Sequence, residues 1–466
     1  MLLHPLEIEW DAGLRGGDPL GWPDYAAMLP SLPKGDSVVT GRAKARGPNG
    51  EARYVAIVGR FEVLGGSMGA VHGEKVVRAY RRASLEKLPV VVVAASGGAR
   101  LQEGMVALAQ LARTSAAARG HARAGLLSIA VMQAPTTGGV LASYVSLTDL
   151  RIATPGATIA FAGPRVAEIA TGRPVPGDSH VAESAYTAGL VDALVEPGDQ
   201  AAWVETALGL RDRRLHGRPL PAGDLEPEPG QPSAWQEVLR ARARSRPTGI
   251  DHAARLCDSW VELRGTDPTV RAGLARIGPR RVVVVANDRF AGLGRPGPAG
   301  YRLAQRAVGL ADRLRLPVLS FVDTPGADPG AMSEADGIAS EIAATFAAFA
   351  DASVPTVSVC VGEGGSGGAL AIAAADTMLI LEHAVFSVIG PEGAAAILAR
   401  DPTKAAAYAG YLKLTAADLV SLGVADAVVP ESDTEAVDKA IVAALDRATP
   451  GDRQRRFDSL TARWLA

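Results

Sequence analysis

The same order of short apolar runs and glycine turns occurs twice in this chain of 466 residues. Leu88-Pro89 leads into Val90-Val-Val-Val-Ala-Ala95 and then Ser96-Gly97-Gly98, while Leu316-Pro317 leads into Val318-Leu-Ser-Phe-Val322 and then Asp323-Thr-Pro-Gly326. Leu127-Ser-Ile-Ala-Val131 ends in Pro135-Thr-Thr-Gly138-Gly139, matched by Thr356-Val-Ser-Val-Cys-Val361 ending in Gly364-Gly-Ser-Gly367-Gly368. Ala160-Phe-Ala-Gly163-Pro164 pairs with Phe386-Ser-Val-Ile-Gly390-Pro391, and Leu190-Val-Asp192 with Val424-Ala-Asp426. Gly98 and Gly326 stand 228 positions apart, and Gly139 and Gly368 stand 229 apart. A near-constant offset across four landmarks marks a tandem duplication at the level of fold.

Between the copies lies a stretch from Gly217 to Pro232 with five prolines and three glycines, which cannot hold regular structure. It divides the chain into an N-terminal domain over 1–213, a linker over 214–233 and a C-terminal domain over 234–466. Each half alternates β-branched runs with Ala- and Leu-rich helical patterns such as Glu103–Arg119 and Glu334–Ala350. Short apolar runs joined by helices specify an α/β arrangement with a parallel-type sheet. The 48 Lys and Arg residues against 50 Asp and Glu give a net charge of −2, without the basic excess of a nucleic-acid-binding protein. Two cysteines, Cys257 and Cys360, exclude a disulfide scaffold and a Cys-only zinc site. The seven histidines show no ligand spacing, so no metal is expected. An acidic start without a long apolar core, and no run of 18 apolar residues, lead to the expectation of a cytoplasmic protein with no membrane contact.

The glycine turns fall where strands end and helices begin, the junction at which α/β folds bind ligands. A strand running through Gly-Gly into a helix presents backbone N–H groups at the positive helix end, able to hold an oxyanion with no charged side chain. Gly138-Gly139 and Gly367-Gly368, read as equivalent, give two such sites. Other motifs carry less. Gly364-Gly-Ser366-Gly-Gly368 and Gly65-Gly-Ser67-Met-Gly69 match the serine-nucleophile pattern, but neither His383 nor His72 has the context of a triad. Gly292-Leu-Gly294-Arg-Pro-Gly297 matches a dinucleotide fingerprint, but Pro296 and Pro298 are expected to stop the helix that receives the pyrophosphate. Cys360 reads as core. Lys75 and Arg78 read as a solvated helix face, and Arg100, directly after Gly97-Gly98-Ala99, is a candidate for contact with a phosphate or carboxylate.

The first half resembles the β subunit of bacterial acetyl-CoA carboxylase carboxyltransferase, through Phe61-Glu-Val-Leu-Gly-Gly-Ser-Met-Gly69, Gly73-Glu-Lys-Val-Val-Arg78, Ser96-Gly-Gly-Ala-Arg-Leu-Gln-Glu-Gly104 and Phe161-Ala-Gly-Pro-Arg165. The second half resembles the α subunit, through Asp323-Thr-Pro-Gly-Ala327, Gly362-Glu-Gly-Gly-Ser-Gly-Gly-Ala-Leu-Ala-Ile372 and Ser387-Val-Ile-Gly-Pro-Glu-Gly393. The resemblance implies a β–α fusion with tandem crotonase-like ββα-superhelix domains. It also implies transfer of a carboxyl group from carboxybiotin, on a carrier protein, to the α-carbon of an acyl-CoA. In such enzymes carboxybiotin releases CO₂, the biotin ureido nitrogen takes the α-proton, and the enolate attacks CO₂.

By resemblance Gly138 and Gly139 stabilise the thioester enolate, and Gly367 and Gly368 stabilise the ureido oxygen. Ser96, Gly97, Gly98, Ala99, Arg100, Gly163 and Pro164 border the CoA side; Gly326, Ala327, Gly390, Pro391, Glu392 and Gly393 border the biotin side. The implied partners are a biotin carboxyl carrier protein, a biotin carboxylase, and further copies of the chain in a homodimer or ring with active sites between protomers. The acyl chain, acetyl or propionyl, and the pathway, fatty acid biosynthesis or another, stay open. Two departures stand out. The four-cysteine zinc ribbon of the β subunit is lacking, since no cysteine precedes Cys257, and Asp328 stands where the family usually has Tyr. Alternative readings are a biotin-independent malonyl-thioester decarboxylase, which needs only the first turn, and a non-catalytic scaffold, which predicts a broken turn.

Overall fold

The computed structural model describes residues 2–33, 35–220 and 233–462. The chain packs as two compact units, Met1–Asp212 and Arg213–Ala466. Of the expected linker, residues 221–232 lie outside the described residues. Its described ends are bonded into the second unit: the Arg218 N–H donates to Asp251 Oδ1 at 2.9 Å, and Ser233 Oγ accepts from the Gln236 N–H at 3.2 Å.

The first unit contains strands β1 (Leu6–Trp10), β2 (Val38–Gly47), β3 (Gly50–Gly59), β4 (Val90–Ser96), β5 (Ser128–Thr137), β6 (Leu150–Ala153), β7 (Ile159–Ala160) and β8 (Ala193–Leu194). They form one sheet in the order β1-β2-β3-β4-β5-β6-β8, with β7 paired to the end of β5. The contacts β1–β2 and β2–β3 are antiparallel, and every contact from β3 onward is parallel. Valine runs suit the central strands because both faces are covered; Val90, Val91 and Val92 are all buried. The helices Ala70–Glu86 and Gly104–Arg123 pack on one another.

The second unit repeats this plan with β9 (Ser259–Leu263), β10 (Val270–Ile277), β11 (Arg280–Asn287), β12 (Val318–Thr324), β13 (Thr356–Gly365), β14 (Thr377–Leu381), β15 (Val385–Ser387) and β16 (Ala427–Val429). Its order is β9-β10-β11-β12-β13-β14-β16 with β15 on β13, antiparallel as far as β11 and parallel beyond. The repetition reaches single residues. The register slips between Ala94 and Ser96 on β4 and between Val322 and Thr324 on β12. Asp149 Oδ2 accepts from the Ser128 N–H at 2.8 Å, as Asp376 Oδ2 accepts from the Thr356 N–H at 2.9 Å. Cys360 lies on β13 and is buried, as expected of a core residue.

Three expectations are corrected. The pattern Glu334–Ala350 is two helices, Ala331–Ala335 and Ile338–Asp351, because Gly337 between them sits at φ +79°. Pro298 does not stop a helix; it opens Pro298–Leu314 at the first position, where a missing N–H costs nothing. Lys75 is not on a solvated face. It is fully buried, with Nζ donating to the carbonyls of Val38 (2.8 Å) and Gly35 (3.3 Å).

His72 is held inside the first unit, Nδ1 2.9 Å from Ser37 Oγ and Nε2 3.0 Å from Tyr144 Oη. Burial pushes its imidazole from 6.5 down to about 3, with Asp36 opposing and Arg100 and Lys75 assisting. The unfolded chain therefore binds the proton first as pH falls below 6.5, and the stability present above that pH is progressively lost. The urea midpoint of the chain is expected to fall between pH 6.5 and 4 more steeply than that of a His72→Gln variant; parallel curves would contradict this.

Candidate functional site

In both units the strand that precedes the first helix of the site ends in a turn fixed by a hydroxyl. The Gly98 N–H donates to Ser96 Oγ at 3.0 Å, and the Gly326 N–H donates to Thr324 Oγ1 at 3.1 Å. Gly98 at φ +118° and Gly326 at φ +121° occupy a region closed to side chains. Each turn lies against the start of the helix that follows the next strand. A Cβ on Gly98 would stand 3.2 Å from Gly138 Cα and 3.4 Å from Gly139 N. A Cβ on Gly326 would stand 3.1 Å from the Gly365 carbonyl oxygen, and one on Gly368 would stand 2.6 Å from Ala327 N.

The geometry revises the pairing of the glycines. Gly138, at φ +59°, opens its helix as Ser366, at φ +60°, opens Ser366–Ala373. Gly139 is thus the counterpart of Gly367, and the offset stays at 228. The role expected of the Gly138 N–H is also corrected, because it donates to the Phe161 carbonyl at 2.9 Å. Gly139 lies at the second helical position, where an N–H has no intrahelical acceptor; Gly367 and Gly368 lie at the second and third. Gly163 and Gly390 match as well, each preceding a proline-led helix, Pro164–Thr171 and Pro391–Leu398.

In the second unit a cavity of about 790 Å³ gathers Gly326, Ala327, Gly367, Gly368, Gly390, Glu392 and Gly393. Pro391 is the expected biotin-side residue that does not line it; it begins the helix behind. The cavity wall also carries residues that sequence reasoning missed. Arg242 pairs with Glu363 (Nη2–Oε1, 2.7 Å) and Glu392 (Nη1–Oε1, 2.6 Å). Arg289 pairs with Asp323 at 2.9 Å. Burial raises the Asp323 carboxyl to about 6 against the pull of Arg289. These residues come from distant parts of the chain, so no local pattern announces them. Asp328 turns its carboxylate into its own loop, accepting from Ser333 Oγ at 2.5 Å and the Gly330 N–H at 3.1 Å.

Ser366 has the strained backbone of a nucleophilic serine between strand and helix, yet no histidine lines the cavity. His383 is bound to Glu237 at 3.0 Å, and His72 is the buried residue described above. Among the described residues no group of three or more His, Cys, Asp or Glu side chains is placed to hold a metal ion, and no helix is long and apolar enough to cross a membrane.

Arg100 does not face a ligand. Its side chain is fully buried and bonds Asp36 (Nη1–Oδ2, 2.7 Å), Glu103 (3.1 Å), Tyr25 (3.1 Å) and the Ser67 carbonyl (2.8 Å). Burial alone would raise the Asp36 carboxyl, but Arg100 outweighs it and holds it below its ordinary value. The guanidinium ties the Gly97–Glu103 turn to the core.

Residues 26–209 match the carboxyl transferase domain family, and residues 230–449 match the acetyl co-enzyme A carboxylase carboxyltransferase-like family. The acetyl-coenzyme A carboxylase carboxyl transferase subunits beta/alpha of Salinispora tropica is 42% identical over 444 residues, covering 89% of this chain and 78% of the relative. A probable biotin-dependent acyl-coenzyme A carboxylase beta3 subunit of Mycobacterium bovis is 36% identical, covering 94% and 89%. The hexameric transcarboxylase 12S, solved with methylmalonyl-coenzyme A and methylmalonic acid, superposes with a TM-score of 0.79 at 25% identity over 95% of this chain and 86% of its own. A single-chain, multi-domain long-chain acyl-CoA carboxylase shares the fold, with a TM-score of 0.75 at 20% identity over 95% of this chain and 46% of its own. The chain belongs to the carboxyltransferase family of biotin-dependent acyl-CoA carboxylases, with a β-like and an α-like half in one polypeptide and a crotonase-like fold.

Replacing Arg100 by Met leaves Asp36 and Glu103 as uncompensated buried carboxylates, an effect typically of about 3–5 kcal/mol. Urea unfolding of Arg100→Met is expected to show a loss of that size in the first unit. Unchanged stability with a weakened KM for the CoA thioester would instead restore the ligand contact.

Proposed function

We propose that this chain moves a carboxyl group from carboxybiotin to the α-carbon of acetyl-CoA or propionyl-CoA, giving malonyl-CoA or methylmalonyl-CoA. The biotin is borne by a separate carrier protein and carboxylated by a separate biotin carboxylase. One observation carries the reading: a Cβ on Gly367 would meet nothing within 4 Å, and Gly367 lines the large cavity. Neither packing nor backbone conformation asks for glycine there. What asks for it is a ligand that comes close to the backbone.

We assign the roles by the family resemblance, and what each unit presents supports them. The Gly139 N–H, beside the Ser96–Ala99 turn and with Gly163 and Pro164 at the edge, holds the thioester oxygen as the enolate forms. The Gly367 and Gly368 N–H groups, with Gly326, Ala327, Gly390 and Gly393 around them, hold the biotin ureido oxygen. Biotin, as co-substrate, supplies the carboxyl group and a nitrogen that accepts the α-proton. The carboxylates at the second-unit site are not free to act as a base: Glu363 and Glu392 are both engaged by Arg242, and Asp323 is buried beside Arg289. One oxyanion donor is typically worth about 10²–10³ in rate.

Assembly enters the same reading. Phe161 and Ile169 near the first turn are 73% and 85% exposed, and Leu293 and Met332 near the second are 84% and 87% exposed. Apolar rims of this kind are covered by partners. We assign them to further copies of the chain, the first unit of one meeting the second unit of another, in a homodimer or a ring such as the hexamer of transcarboxylase 12S.

The test is the reverse reaction of the purified chain with malonyl-CoA or methylmalonyl-CoA and free biotin. Carboxybiotin formation that ceases when biotin is omitted is the expected result, and the faster thioester identifies the acyl chain. Release of CO₂ that ignores biotin would contradict the reading. In the same assay Gly367→Ala is expected to raise the KM for biotin by about 10–200-fold, the range for one methyl group in a fitted pocket. Its unfolding midpoint and its KM for malonyl-CoA should stay at wild-type values.

A further inference from the structure

Three arginines line the biotin-side cavity, and their hydrogen bonding separates them. Arg242 is occupied by the carboxylates of Glu363 and Glu392. Arg289 is occupied by Asp323 and the carbonyls of Ala241 and Ala243. Arg295 makes no hydrogen bond or ion pair to any described residue. Its Nη1 lies 4.0 Å from the Cβ position of Gly326, the glycine whose turn abuts the Gly367–Gly368 N–H groups. Its charge helps to hold down the carboxyl of Asp328, after the larger effects of Ser333 and the Gly330 N–H. Those two donors keep the Asp328 carboxylate in its loop, within the field of Arg295 and out of contact with it.

A guanidinium left with its donors unpaired in a cavity is suited to a carboxylate, which it can grip with two parallel N–H···O bonds. Resting on the function proposed above, the group that fits is the transferable one. Carboxybiotin carries a carboxylate on the ureido nitrogen, next to the oxygen assigned to Gly367 and Gly368; biotin after transfer carries none. We infer that Arg295 recognises the carboxylate of carboxybiotin and so makes the second unit discriminate the loaded from the unloaded co-substrate. Asp328, between the wall residues Ala327 and Pro329 and of opposite charge, weakens that grip. The pair sets how readily the site accepts carboxybiotin, while biotin, which has lost the carboxylate, is held without it.

The experiment measures KM in both directions with the full chain: freshly prepared carboxybiotin with acetyl-CoA, and biotin with malonyl-CoA. Arg295→Gln is expected to raise the KM for carboxybiotin by roughly 10- to 100-fold, the usual worth of a hydrogen bond to a charged group, and to leave the KM for biotin within about twofold. Arg295→Lys should restore part of the difference. Asp328→Asn should move the ratio the other way, and decides the matter should Arg295→Gln fail to fold. Equal changes for both forms of biotin, or an unmoved ratio in Asp328→Asn, would overturn the inference. A wild-type chain with no biotin-dependent activity would instead sink the proposed function itself.

Discussion

The contact on which each half of this protein depends is backbone against backbone. A strand-end turn, Gly98 in one unit and Gly326 in the other, meets the start of the next helix so closely that a Cβ on either glycine would crowd the facing backbone at 3.2 and 3.1 Å. Because the approach is made by main chain, the N–H groups around it are fixed by the sheet and do not reorganise when charge develops nearby, which is the condition for electrostatic stabilisation of an oxyanion. The parallel strands serve this contact. Their register slips by the same amount at the same place in both sheets, and a hydroxyl from Ser96 or Thr324 locks the turn after the slip.

Duplication has preserved this contact and changed what surrounds it. In the first unit the turn is anchored from behind by a buried network in which Arg100 joins Asp36, Glu103, Tyr25 and Ser67, and nothing charged faces outward from it. In the second unit a cavity lies at the turn. Arginines and glutamates stand on its wall, and a serine takes the positive φ that a glycine holds in the first. One scaffold thereby carries a turn backed by buried charges in one unit and a turn beside a charged cavity in the other. The activity proposed here needs both, because the two oxyanions belong to different molecules.

Much of the fold is legible in the sequence because its signals are local. Val90–Val93 and Val318–Val322 read as buried strands, and the glycine turns that end them read as ligand junctions, each from fewer than ten consecutive residues. The pairing of the two halves was legible to within one position. Matching letters aligned Gly138-Gly139 with Gly367-Gly368, whereas matching backbone aligns Gly138 with Ser366, since a serine can be forced into a conformation where glycine is expected. What was not legible is non-local. Arg100 is buried because Asp36 and Tyr25 arrive from 64 and 75 residues away. The Gly138 N–H is engaged because β7 brings Phe161 beside it. Arg242, Glu363 and Arg295 share a wall that only the folded chain assembles.

The division of labour between the two turns is the claim that matters most, and equilibrium binding tests it from the first unit's side. Gly139→Ala places a methyl at the first turn, against the yielding end of the Leu111 side chain, which a Cβ there would approach to 2.8 Å. Titrating the wild-type and variant chains with acetyl-CoA and, separately, with biotin reads the two sites independently. The account predicts weakened acetyl-CoA binding with the biotin isotherm unmoved. A variant that loses biotin while keeping acetyl-CoA, or that loses both alike, would contradict it.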